Sequence, residues 1–439
     1  MKNVLFLVFI LIGPVIFAQE KLNYPYVDKT TYDLYLKADW NSLIDLGKKS
    51  MDAGIDFYYL QVRMGTAYFE KTNYRKAIKH LQNAKKTNAD DAFVLELLYK
   101  SYLFSGRTED ARSLSDKLPK TLKNKLEIKE NPIFSAVYVV TKFDQFDDSK
   151  VASNDTDILE QTIKNDNSYF SINFENELNA TSKIFWGYSK IKIDNTVYKL
   201  NESNEQINFA QQVEQNQLYF NYAKQFSVGS NFSFALNYIY SNFNDYDLVS
   251  RGAGYGGGYN NTSYDYISIN AHEFAGNLSF YTDVSNLKLG ASTAFSSLNE
   301  SFQVQPGISL TYYPMGNTNV YLLSEFTQQF DFKTNKPINA SVFKQGVGFR
   351  VQTIYVEPYL SWGEIANFTK SNAFVVYNED DAVKNQKGIK VYAYLLKDKL
   401  RLYTEFQQYD KINTYKINNI DNQLAYKYQS IIAGIRWNF

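Results

Sequence analysis

Three kinds of hydrophobic spacing follow one another along the chain, and each asks for a different structure. The opening stretch, MKNVLFLVFILIGPVIFA, sets Lys2 ahead of an unbroken apolar run from Val4 to Ile12, with a Gly13-Pro14 break before Ala18. That pattern predicts a secretory leader cut after Ala18, too short for the roughly 20 apolar residues of a membrane helix. No later run of about 18 apolar residues appears, so a membrane location requires a closed barrel of strands. From about Thr31 to Lys117 apolar residues recur every three or four positions, as in amphipathic helices; from about Ile133 onward they alternate with polar ones, as in strands with two different faces. The spacing therefore predicts a leader (1–18), a helical segment (24–118), a charged linker (119–132) and a sheet region (133–439).

The helical segment repeats. Trp40, Tyr74 and Thr108 stand 34 residues apart, and each is followed three residues later by Leu43, Ala77 and Ala111. In the middle copy Met64, Gly65, Tyr68, Tyr74, Ala77, Leu81 and Ala84 fall where two antiparallel helices touch, with Asn73 separating them. The segment resembles a tetratricopeptide repeat array, with three copies near the minimum that buries a core. It departs from the pattern where Thr31 and Tyr99 replace a first-helix glycine, and where Gly47 and Ser115 stand in place of a large apolar residue. The resemblance implies a concave groove lined by Tyr59, Val62, Thr66, Phe69, Phe93, Glu96 and Lys100, fit to hold a periplasmic protein partner. The alternative is a spacer whose groove is covered by the barrel or by 120–131. His80 is expected to be a surface or packing residue.

In the alternating region one face is apolar and the other charged or glycyl. Leu400, Leu402, Thr404 and Phe406 oppose Arg401, Tyr403 and Glu405; Phe343, Val347, Phe349 and Val351 oppose Lys344, Gly346, Gly348 and Arg350; Ile354, Val356, Leu360 and Trp362 oppose Tyr355, Glu357 and Tyr359. Such strands suit a wall with lipid outside and water inside. Tight turns at 179–182, 227–230, 284–286, 315–317 and 397–399 mostly alternate with longer polar loops at 195–214, 242–266, 363–386 and 411–425, which predicts about 14 strands. A soluble sandwich is the competing reading of the same alternation. The fold expected is thus α + β in separate domains: a short helical array, then a transmembrane antiparallel barrel.

The last strand, YQSIIAGIRWNF, continues the alternation to its final residue. Ile431, Ala433, Ile435, Trp437 and Phe439 share one face, while Ser430, Gly434, Arg436 and Asn438 share the other. Gly434, Trp437 and Phe439 resemble the carboxy-terminal insertion signal of bacterial outer-membrane proteins, although Ile432 stands where a polar residue is expected. The resemblance implies the barrel assembly machinery and outer-membrane lipid as partners.

Composition narrows the chemistry. The chain has no cysteine, 46 basic against 46 acidic residues, 37 Tyr and 32 Phe. Disulfides and thiolate metal sites are excluded, and the absent net charge removes the field that a nucleic-acid partner requires. Gly252, Gly254 and Gly257 have dinucleotide-loop spacing but open no helix, so a polar outer loop is expected. His272, beside Glu273, alternates onto the face of Phe274 and has no convincing nucleophile or base nearby, which points to a membrane-interface position and no enzyme. With two histidines in different domains, no metal or cofactor is expected. The inward charges Lys344, Arg350, Glu357, Lys390, Arg401, Glu405 and Arg436 would either line a conduit or neutralise one another as a plug.

The whole arrangement resembles Bacteroidetes-type outer-membrane barrels with a periplasmic repeat segment, and exopolysaccharide export porins. It implies a channel or conduit whose repeats recruit a partner, with polysaccharide as a possible cargo. The alternatives are a non-conducting anchor for the repeats and, less favoured, a barrel enzyme.

Overall fold

The computed structural model describes residues 22–128, 133–146, 158–200, 206–251, 261–333, 338–378, 381–396, 399–417 and 420–439. The leader and the Gly252, Gly254, Gly257 stretch lie outside the described residues. Two compact units divide the chain, Met1–Leu98 and Tyr99–Phe439.

The described chain is helical up to α6, and the first unit ends within α5, at Leu98. Helices α1 (Tyr24–Leu36), α3 (Tyr58–Glu70) and α5 (Ala92–Phe104) begin 34 residues apart, as do α2 (Trp40–Asp52), α4 (Tyr74–Thr87) and α6 (Thr108–Asp116). The period is also written in the backbone. Ala38, Thr72 and Gly106, two residues before each second helix, have φ of 53°, 55° and 76°. The following Asp39 and Asn73 cap their helices by accepting from Ser42 N and Lys76 N at 3.2 Å. Val27, Leu43, Leu60, Met64, Ala77 and Leu81 form the buried centre. A Cβ on Gly65 would meet Leu81 at 2.7 Å, which is the close approach expected of the middle copy. Gly47 leaves its space to the Met64 thioether, so the missing large residue is supplied from the next helix. No helix among the described residues is long and apolar enough to cross a membrane.

The second unit is a closed antiparallel barrel of fourteen strands. Its wall runs β1 (Phe134–Phe146), β2 (Ile158–Asn179), β3 (Ser182–Leu200), β4 (Gln206–Ser227), β5 (Ser230–Arg251), β6 (Asn261–Val284), β7 (Leu287–Leu298), β8 (Ser301–Tyr312), β9 (Val320–Asp331), β10 (Ile338–Val351), β11 (Ile354–Ile365), β14 (Ala382–Leu395), β15 (Leu400–Ile417) and β16 (Ile420–Asn438). Pairing of β1 with β16, from Ala136↔Asn438 to Phe146↔Tyr428, closes the hoop and leaves no edge there. A short hairpin of β12 (Phe368–Lys370) and β13 (Val375–Tyr377) forms a separate sheet.

Three expectations are corrected. The segments 195–214, 242–266 and 411–425 are mainly continuous ladder, because polar strands still satisfy their backbone and pair across, as Leu200↔Gln206, Arg251↔Asn261 and Ile417↔Ile420 do. The segment 363–386 is not simply an outer loop, since it contains β12 and β13. The charged linker also contains a helix, α7 (Lys120–Lys125), with Leu122 buried, and α6 and α7 both belong to the barrel unit.

The outward face is apolar over about the length that crosses a bilayer, as on β6, where Phe274, Leu278, Phe280 and Val284 are all exposed. Trp186 and Trp437 lie near the end with the short turns, and Trp362 nearer the other, stacked on Phe343 at 5.8 Å. Aromatic residues at both borders of an apolar band are a mark of a membrane barrel. His272 continues the Phe274 face toward the long-strand end and meets the Tyr238 hydroxyl at 2.7 Å.

Candidate functional site

Alternation turns the polar face of every wall strand inward, and the barrel encloses a chamber of 1710 Å³. All seven charges singled out by alternation, Lys344, Arg350, Glu357, Lys390, Arg401, Glu405 and Arg436, lie on its wall. Register explains their company: Lys390 stands opposite both Glu357 and Glu405, and Lys344 opposite Glu325. Lys390 pairs with Glu357 and Lys344 with Glu325, each at 3.5 Å. Arg436 reaches Glu175 at 3.5 Å and lies 4.6 Å over the Tyr138 ring. Arg350 is turned toward the short-turn end, where its Nε donates to the Gln352 carbonyl at 2.6 Å. The charges thus stand in small groups along the wall.

Tyrosines complete the lining: alternation placed Tyr359 and Tyr403 inward, and Tyr321 and Tyr392 join them. Tyr321, Tyr359, Tyr392 and Tyr403 face the chamber among the charges. Tyr359 donates to Glu405 Oε1 at 2.6 Å and accepts from Gln386 and Gln407 Nε2, each at 3.0 Å. Tyr403 and Gln407 also donate to Glu405, and Tyr321 donates to Glu357 at 2.7 Å. Inward glycines make room for the rings: a Cβ on Gly388 would meet the Tyr359 ring at 2.7 Å. The usable signal was an inward glycine opposite an inward tyrosine, as in Tyr359↔Gly388.

The β12–β13 hairpin crosses the lumen. Gly363, at φ 116°, starts the departure from the wall, and any side chain there would strike the Ser341 carbonyl. The hairpin tip, Ser371–Asn372–Ala373, takes three left-handed conformations in a row. Across the barrel, Tyr219 donates to Asn372 O and Asn237 to Ala373 O, both at 3.0 Å. Phe374 stands edge-on to Tyr219 and Phe185. On the near side Phe368 is buried with Val342, Ile365, Val383 and Tyr409. Thr369 donates twice to Gln305 Oε1, and Glu273 accepts from Asn378.

At the short-turn end, α6 lies against the barrel turns. Asp110 accepts from Gln225 Nε2 at 2.5 Å, from Gly229 N–H at 2.7 Å and from Arg107 Nε at 2.7 Å. Arg112 pairs with Glu177 at 3.1 Å and donates to Ala180 O, while Glu109 pairs with Lys183 at 3.0 Å. Burial alone would raise the Glu109 carboxyl, but the Lys183 charge and hydrogen bond outweigh it and hold Glu109 down to about 2. Burial raises Asp110 despite Arg107. Residues of both α6 and the hairpin line the chamber.

In the helical unit, Tyr59 and Phe93 are exposed, at 59% and 45%, and Val62, Phe69 and Glu96 are half-buried. Thr66 departs from the groove expectation. It is buried, its hydroxyl donating back to Val62 O at 3.0 Å, so it has nothing to offer an occupant. Lys100 is half-buried and falls in the second unit. His80 is a packing residue: Nδ1 donates to Gln61 Oε1 at 2.7 Å and the ring stacks on Tyr68. On β16, Gly434 faces in beside Val140, while Trp437 and Phe439 face out, and Phe439 N–H donates to Ser135 O. Among the described residues no three His, Cys, Asp or Glu side chains are placed to share a metal ion.

An apolar outer belt around a charged, tyrosine-rich chamber defines a transmembrane β-barrel. No protein-family profile matches the chain, and no curated protein matches it. Solved structures with similarity include the P. putida toluene transporter TodX, at TM-score 0.45 and 7% identity over 70% of this chain and 91% of that one. A Pseudomonas aeruginosa FadL homologue matches at TM-score 0.45 and 7% identity over 70% and 90%. An anion-selective porin from Comamonas acidovorans matches at 0.32 and 10% over 71% and 99%. At these scores the likeness carries nothing about substrate or mechanism.

Proposed function

We propose that this chain is an outer-membrane channel held shut at rest, with the β12–β13 hairpin as its gate and the helical unit as a periplasmic recruiting arm. The observation that carries the reading is the chamber: 1710 Å³ of space inside a closed barrel, lined by ion pairs and tyrosines, with a hairpin across it that is no part of the wall. A barrel serving only as an anchor has no need of a charged, aromatic internal surface. The 34-residue helical period and the exposed Tyr59 and Phe93 support a tetratricopeptide-like array that holds a periplasmic protein. Polysaccharide delivered by that protein is a cargo for which the tyrosine lining is suited, because sugar rings pack on aromatic faces.

Conductance of the purified full chain in planar bilayers tests the channel reading. The intact protein is expected to show rare, brief openings, and a variant with residues 366–380 replaced by a short glycine-serine link is expected to conduct steadily. If the shortened variant folds into membranes and stays silent, the barrel is a non-conducting anchor.

A further inference from the structure

The chain as a whole has equal numbers of basic and acidic residues, yet the chamber does not. Among the described residues that line it, ten are Lys or Arg and seven are Glu, and one of the ten, Lys142, is paired with Asp144. A surplus of one sign inside low-dielectric walls focuses its field on the enclosed space. One of these lysines, Lys370, stands on the hairpin. Its Nζ donates to Gln386 Oε1 at 2.8 Å and lies 5.1 Å over the Tyr377 ring, and Lys370 has no ion pair among the described residues. When protonated, the Lys370 amine has three N–H donors, of which Gln386 takes one and two are left for the chamber that it lines.

Two further lysines belong to the same place. Gln386, which accepts from Lys370, donates to the Tyr359 hydroxyl, and the Lys344 and Lys390 ammonium groups lie 5.1 and 5.3 Å from the Tyr359 ring. Of the nearby carboxylates, Glu357 and Glu405 keep their charge but are held by other donors as well. Glu405 accepts from Tyr359, Tyr403 and Gln407, and Glu357 from Tyr321, while the Lys344–Glu325 and Lys390–Glu357 pairs are loose at 3.5 Å. We propose that Lys344, Lys370 and Lys390 form an anion-binding site that takes a solute with a carboxylate or phosphate attached to a sugar or aromatic ring. The lysines hold the anionic group by charge-assisted hydrogen bonds, and the Tyr359 and Tyr377 rings offer faces to the ring. Because Lys370 sits on the gate, an anion bound there also touches the element that closes the channel.

The proposal rests on the chamber being a solute compartment, as in the channel reading, and its test is an equilibrium measurement that needs no current. Titration calorimetry of the full chain in detergent is run with glucuronate, glucose 6-phosphate and uncharged glucose. Both anions are expected to bind and glucose to bind at least tenfold more weakly; the stronger of the two anions tells carboxylate from phosphate. Lys370→Gln is expected to weaken the anions at least tenfold, whereas Lys288→Gln, another chamber lysine, changes them less than twofold. Should Lys370→Gln fail to fold, Lys344→Gln carries the same expectation. Equal binding of glucose, no binding of either anion, or equal losses from Lys370→Gln and Lys288→Gln would overturn the site. A protein that binds these anions but never conducts keeps the site and sinks the channel reading.

Discussion

Asp110 on α6 holds the backbone N–H of Gly229, in the turn between β4 and β5, at 2.7 Å, while Arg107, at the N-cap of that helix, grips the same carboxylate. Both side chains are buried, and Arg107 has Asp283 4.0 Å away as a second acid. Removing one partner of a buried pair strands the other charge, at a cost of roughly 3 to 5 kcal/mol. Asp110→Ala is therefore expected to free α6 from the turns. Limited proteolysis should cut near Thr108–Asp116 in the variant and spare it in the parent, with the barrel still resistant to heat in detergent.

The helical unit has a built-in acid sensitivity at His80. Burial, helped by the Lys79 charge, pushes its imidazole down to about 4, with Asp56 pulling weakly the other way. Since the folded value lies below the ordinary 6.5, the unfolded chain takes the proton first. Stability is full above pH 6.5 and falls as pH drops toward 4, by roughly 3 kcal/mol. Hydrogen exchange of α3 and α4 amides at pH 7 and pH 4 reads this directly. His80→Leu should flatten the pH dependence; an unchanged slope would remove His80 as its source.

Phe368 anchors the hairpin on its near side, in contact with the cluster around Val342 and Tyr409. Phe368→Ala removes a buried ring, worth about 3 to 5 kcal/mol. The wall strands keep all their pairing, so folding into the membrane should be unaffected while the open fraction in single-channel records rises by at least tenfold. No rise in open fraction would mean that the hairpin does not control the lumen.

The lipid face can be tested at Phe406, which points out from the middle of β15 and is 42% exposed. Phe406→Arg is expected to lower the stability of the folded barrel in liposomes by about 2 to 4 kcal/mol, the cost of a guanidinium near the bilayer midplane. The same change at Gln429, exposed on β16 toward the long-strand end, should cost less than 1 kcal/mol if it lies at the interface. Equal effects would place the belt elsewhere.

Much of the barrel was legible because lipid outside and water inside impose period two on every strand. Leu402 and Phe406 had to oppose Arg401 and Glu405, and in the structure they do. The number of strands followed from the same count. Strand ends were less legible. Past the lipid belt nothing penalises a polar residue, so Asp247 and Asp265 read as loop although they sit opposite one another in a ladder. The hairpin was illegible for another reason: Phe368 is buried and Phe374 half-buried by residues from other strands, such as Val383 and Tyr219, and no local pattern records such a meeting. Lys370 went unnoticed with them. The helical period was visible through Trp40, Tyr74 and Thr108, but the attachment of α6 to the barrel depends on Asp110 meeting Gly229, more than a hundred residues away.

The hairpin leaves the wall after Ile365, and β11 and β14 are joined to each other from Ile354↔Ala393 to Ile365↔Val383 without its help. The hoop can therefore be completed while residues 366–380 are still outside it. This topology lets corking follow insertion, because corking needs no strand to be unzipped. It also frees the cork from the rules that govern the staves: its sequence can drift, or be exchanged for another, and the vessel around it still assembles.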